Sequence, residues 1–154
     1  EVRVLDRFFR GATSGIIGGI VMNAWSFFSF HILQFTERRY TDWMGVIVYG
    51  DLPRTLAQTI HSLILHLVWV GVLGVLFAYL IPVITSRGYL LKGAFFGISV
   101  GLVCYAIPTL YKLPYIGNTT FNTSISNHIG AILWGLTMAQ VLRWLDTRQQ
   151  AESV

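Results

Sequence analysis

Along this chain the polar and apolar positions separate into long blocks instead of alternating turn by turn. Four stretches, 11–33, 55–84, 93–110 and 125–142, contain no Asp, Glu, Lys or Arg. Each is close to or above the ~20 residues with which an α-helix crosses a bilayer. A helix on the surface of a water-soluble domain interrupts its apolar stripe with charge on the opposite face. The pattern therefore predicts an all-α fold, an integral membrane bundle of four transmembrane helices forming one domain over residues 1–154. The first stretch is too long for a signal peptide and lacks a small-residue cleavage pattern.

Between the first two stretches, Met44-Gly45-Val46-Ile47-Val48 is flanked by Tyr40, Asp42, Trp43 and Tyr49. Aromatic residues around a short apolar run favour the membrane–water boundary, so a short interfacial segment is expected there, with Asp42 as its N-cap. Pro53 precedes the second stretch and Pro82 ends it, and Pro108 kinks or ends the third. The loop from Tyr111 to Ser124 is turn-rich and carries formal N-glycosylation sequons at Asn118 and Asn122. The tail from Asp146 onward is polar and is expected to fray.

Composition agrees with a membrane chain: 12% of residues are charged, against about 25% in soluble domains. The net charge of +4 reads as a topology signal. Arg3, Arg7, Arg10, Arg87, Lys92, Arg143 and Arg148 fall on one side of the expected bundle, against Arg38, Arg39, Arg54 and Lys112 on the other. The positive-inside rule then puts both termini in the cytoplasm, with the plasma (inner) membrane as the expected location. No basic cluster on a soluble face suggests nucleic acid. The single cysteine, Cys104, lies inside the third stretch and reads as a small apolar residue.

Glycine supplies the packing signals. Gly11 and Gly15 form a small-xxx-small step, and Gly93, Gly97 and Gly101 form a continuous GxxxGxxxG ridge. Such ridges let helix backbones approach closely in lipid. The first helix is the expected partner of the ridge on the third.

The histidines are the main candidates for chemistry. His31, His61 and His128 fall at similar depth near the outer ends of three helices, and His66 lies roughly 7 Å deeper than His61. A five-residue step turns a helix by about 140°, so His61 and His66 do not face one centre. Imidazoles at one depth on different helices can ligate a haem iron axially. This reading takes His61 and His128 as ligands of a haem b, His31 as the substitute, and Arg54 as the partner of an anionic group such as a propionate or a quinone-site ligand. His66 is expected to pack or hydrogen-bond in the core. The plainer reading is that these histidines meet water and headgroups, with Asn23, Gln58 and Asn127 as interhelical hydrogen-bond glue.

No HExxH, GxSxG or phosphate-loop motif is present, and the apolar stretches hold no carboxylate for coupled transport. The expected function is therefore non-enzymatic: an accessory subunit of a larger membrane complex, or a small binding protein, with a protein partner or a second copy beside it in the bilayer. A haem- or quinone-binding anchor of an electron-transfer complex is the alternative, and a small-solute transporter or channel is the third choice.

Three segments carry a family resemblance. The run RFFRGATSGIIGG (7–19), the opening KGAFFG (92–97) and IPTLYKLPYIGNTTFNTSISNHIGAILWG (107–135) resemble the small bacterial membrane proteins of the YqhR and YagU types. The resemblance implies a four-span fold and brings no assigned chemistry. The four histidines match no motif of that family.

Overall fold

The computed structural model describes residues 6–85 and 87–152. Arg3, used above for orientation, lies outside them. Among the described residues the chain forms five α-helices and no strand: α1 (Arg7–His31), α2 (Tyr40–Tyr49), α3 (Leu56–Val83), α4 (Tyr89–Leu110) and α5 (Phe121–Glu152). The four long helices correspond to the four apolar stretches and α2 to the short segment between the first two. Two of them, α3 and α4, are long and apolar enough to cross a membrane.

Local chemistry explains the boundaries. Thr55 caps α3 by accepting from the Gln58 backbone N–H at 3.1 Å, while Gln58 Oε1 accepts from the Thr55 N–H at 3.2 Å. This reciprocal pair satisfies two of the donors that a helix start leaves open. Gln58 is therefore a capping residue and not interhelical glue. Asp42 is likewise not the N-cap of α2. It stands at the third position and reaches back to the Arg39 backbone N–H at 2.7 Å, with the Arg39 guanidinium on its other oxygen at 2.8 Å. Pro82 and Pro108 sit in the last turns of α3 and α4 without ending them at once. The polar tail continues α5 through residue 152, and its first residue, Asp146, contacts Arg10 and Tyr89 at 3.0 Å each.

The helices pack antiparallel in the order α3, α1, α5, α4. Glycine sets each outer seam. A Cβ placed on Gly15 would lie 2.3 Å from the Val70 carbonyl oxygen of α3, and one on Gly97 would lie 2.2 Å from the Ala131 carbonyl oxygen of α5. Gly11 faces Gly74, and Gly93 faces Gly135. The ridge on α4 thus packs against α5, and the glycines of α1 pack against α3; the expected pairing of the two ridges with each other does not form. Gly101 lies beyond the tight part of the seam, where a Cβ would make ordinary contact with Ala131 at 3.6 Å.

The molecule has two unlike halves. Toward the end that holds Arg7 and Arg10, the core is apolar: Phe77, Ile81, Trp134, Met138 and Leu142 are buried. Toward the α2 end the interior is polar, with Asn23, Ser26, Ser29, Ser62, His66, Ser126 and Asn127 all buried. Outside, Ile20, Ile64, Val68, Leu76, Phe95, Leu102 and Val103 are exposed. The most apolar 18-residue window of α4 is only 11% buried, which is the reverse of a core helix in a soluble domain.

Candidate functional site

α3 and α4 are the two helices at the open ends of the packing order, and they scarcely touch. Near the basic end Phe96 of α4 bridges to Phe77 at 5.3 Å and to Trp134 at 5.9 Å between ring centroids, closing the seam there. Beyond that bridge the helices stay apart and leave a cleft of about 540 Å³, a size within the usual range for small-molecule sites. Val68, Trp69 and Val72 form one exposed lip and Ile107 contributes to the other. Met22, Ala131 and Trp134 form its back wall, and α2 covers its far end with Tyr40, Trp43 and Ile47. The lining contains no Asp, Glu, Lys or Arg.

A hydrogen-bonded set of side chains edges this apolar space. Asn23 Nδ2 donates to the Gly19 carbonyl at 2.8 Å and also lies 2.9 Å from His66 Nδ1. A carbonyl only accepts, so the atom facing it is the amide NH₂, and the same group donates to Nδ1. His66 is thereby the tautomer with its proton on Nε2, and that N–H has no protein acceptor among the described residues. Tyr40 stacks on the His66 ring at 5.3 Å and donates its hydroxyl to the Asn127 carbonyl at 2.7 Å. Asn127 Nδ2 donates to the Tyr105 hydroxyl at 2.8 Å. Tyr105 also stacks on His128 at 5.4 Å and meets Trp43 edge-on at 5.0 Å. The indole N–H of Trp43 and the hydroxyls of Thr41 and Ser62 are buried without a partner.

The residues singled out from the sequence divide clearly. His66, not His61, faces the interior and lines the cleft. His61 is exposed and its Nδ1 pairs with the Tyr49 hydroxyl. His128 bonds through Nδ1 to the Ser124 carbonyl of its own helix at 2.7 Å. His31 is exposed and stacks on Phe27. None of these three lines the cleft, and no metal-binding group of His, Cys, Asp or Glu is assembled among the described residues. The pair His61 and His128 expected for a haem iron thus faces different neighbours on different elements. Arg54 does not stand over a histidine; it pairs with Asp51 at 2.9 Å on an exposed turn. There the Leu52 backbone N–H, and after it the Arg54 guanidinium, hold the Asp51 carboxyl below the ordinary carboxylate range. The interhelical role expected of Asn23 and Asn127 matches their bonds to α3 and α4.

The structure also brings in residues that the sequence reading passed over, chiefly Tyr40, Trp43 and Tyr105. A signal for His66 was present. Ser62, His66, Val70 and Gly74 recur every four residues and share one face of α3, and the small residues mark that face as the packed one.

Comparison with protein-family models, curated proteins and solved structures finds no significant match to this chain.

Proposed function

We propose that the protein is a membrane-embedded binding protein, its four long helices crossing the bilayer with both termini on the cytoplasmic side. Its cleft between α3 and α4 would admit a lipid-soluble ligand sideways from the bilayer. The membrane reading is supported by the apolar residues exposed along the long helices, by the polar interior of the α2 half, and by the nearly unburied α4. The orientation follows from Arg7, Arg10, Arg87, Lys92, Arg143 and Arg148 at one end of the bundle. Membership of the YqhR/YagU-type group is the family reading that accompanies this proposal.

The observation that carries the binding reading is the uncharged cleft with its exposed lips Val68, Trp69, Val72 and Ile107. A charged, water-soluble ligand would find no ionic partner in it, whereas a lipid-soluble one is already concentrated beside its exposed lips. Purification in lipid nanodiscs followed by mass spectrometry of the organic extract tests this. A lipid-soluble molecule retained in stoichiometric amount, and lost when Val72→Trp narrows the mouth, is the expected result. An extract identical to that of empty nanodiscs would reject it.

A role as an accessory subunit is the second reading, favoured by the exposed apolar residues Leu91, Phe95, Leu102 and Val103 of α4. Affinity isolation from native membranes in mild detergent separates the two: a partner subunit recovered at fixed stoichiometry supports it.

A further inference from the structure

We infer that the ligand of this cleft is a lipid quinone: an uncharged conjugated ring with carbonyl acceptors and a long apolar tail. The inference rests on the binding reading above and specifies its ligand. Three features of the cleft select that chemistry.

The first is charge. No carboxylate, lysine or arginine lines the cleft, so a phospholipid headgroup or a fatty carboxylate would enter low dielectric without a counter-charge. Burying an unpaired ion costs far more than burying a hydrogen-bonded neutral group. The head is therefore neutral.

The second is the sense of the hydrogen bonds. His66 spends Nδ1 as an acceptor for Asn23, which leaves Nε2–H as a donor beside the cleft with nothing to bond. A ligand that covers this N–H without supplying an acceptor strands it, at a cost of about 1–3 kcal/mol. A ligand that supplies a carbonyl oxygen removes that cost, whereas a hydrocarbon removes none of it.

The third is shape. Tyr40, Trp43 and Tyr105 give the covered end of the cleft aromatic walls, which suit a flat ring in offset or edge contact. The mouth between Trp69 and Ile107 leads out onto the exposed apolar flank, where an isoprenoid tail would continue into lipid.

The test uses the full chain in nanodiscs and three probes with tails of nearly equal length: decylubiquinone, decylbenzene and decanoate. Affinities are measured by isothermal titration for the wild type, His66→Phe, His66→Gln and Val72→Trp. The inference expects decylubiquinone to bind at least tenfold more tightly than either other probe. His66→Phe should weaken quinone binding about tenfold while leaving decylbenzene unchanged, since one hydrogen bond is worth about that factor. His66→Gln should keep most of the affinity, because an amide can accept from Asn23 and still donate into the cleft. Equal binding of decylubiquinone and decylbenzene, unaltered by His66→Phe, would overturn the quinone assignment while leaving the binding reading intact. Preference for decanoate would overturn it in favour of an anionic lipid. Failure of all three probes to bind, with Val72→Trp indistinguishable from wild type, would overturn the binding reading itself.

Discussion

The side-chain amide of Asn23 on α1 donates to His66 Nδ1 on α3 at 2.9 Å, and both residues are buried. This bond ties the two helices together beyond the point where their glycine seam ends. It also decides which imidazole nitrogen is left for the cleft. Interhelical bonds of this kind contribute about 0.6 kcal/mol on average, so its weight here lies more in orientation than in stability. Asn23→Leu should leave the bundle folded and release the His66 ring, because the Gly19 and Nδ1 contacts disappear together. Nitrogen-15 chemical shifts of the imidazole would change from one dominant tautomer to a mixture; an unchanged spectrum would show that Tyr40 alone orients the ring.

The α4–α5 seam makes a position-specific forecast. Gly97→Ala places a methyl 2.2 Å from the Ala131 carbonyl oxygen, whereas Gly101→Ala places one 3.6 Å from the Ala131 methyl. The first should destabilise the bundle by the about 1–3 kcal/mol typical of overpacking, and the second should be close to neutral. Thermal unfolding of both variants in one detergent checks this, and equal midpoints would show that α4 can slide on α5.

At the basic end Arg10 is buried and pairs with Asp146 at 3.0 Å, an ion pair supported by the Tyr89 hydroxyl on the other carboxylate oxygen at 3.0 Å. Asp146→Asn should cost about 3 kcal/mol, the lower end of the range for stranding a buried charge, since Asp146 is partly exposed. Tyr89→Phe should cost about 1 kcal/mol. Equilibrium unfolding in mixed micelles gives both values, and the reverse ranking would place the main contribution on the hydroxyl.

The exposed turn before α3 responds to acid. The folded-state pKa of Asp51 is lowered, first by the Leu52 N–H and then by Arg54. A depressed carboxylate stabilises the turn above its unfolded value of about 3.9 and loses that effect as the pH falls through the folded value. Carbon-13 titration of the Asp51 carboxyl should therefore give a midpoint below that of a free Asp. In Arg54→Ala part of the depression should remain, because the Leu52 N–H, the largest single cause, is untouched.

The proposed topology of four crossings predicts opposite accessibility for Thr120 and Gln149. In a Cys104→Ser background, cysteines at these positions should react with a membrane-impermeant maleimide from opposite sides of the membrane. Reaction of both from the same side would rule the topology out.

The apolar stretches alone determined that the chain is helical, how many long helices it has, and where the short α2 sits between them, because uninterrupted apolar runs of that length have few other ways to satisfy their backbone groups. Glycine spacing determined that close seams exist at Gly11, Gly15, Gly93 and Gly97. Which seam joins which helix was decided only in three dimensions, since a GxxxG face looks the same to any partner: Gly15 found Val70 and Gly74, and Gly97 found Ala131. The site was less legible still. Depth along a helix follows from counting residues, and it grouped His31, His61 and His128; the direction in which a side chain points follows from which face is packed. That face was set by the α1–α3 seam, which turned His66 inward and His61 out to Tyr49. Tyr40 and Trp43 entered the site because α2 folds back over the gap between α3 and α4. The gap itself depends on two tight glycine seams holding α3 and α4 to different neighbours. It is a property of the packing order, and no local stretch of sequence contains it.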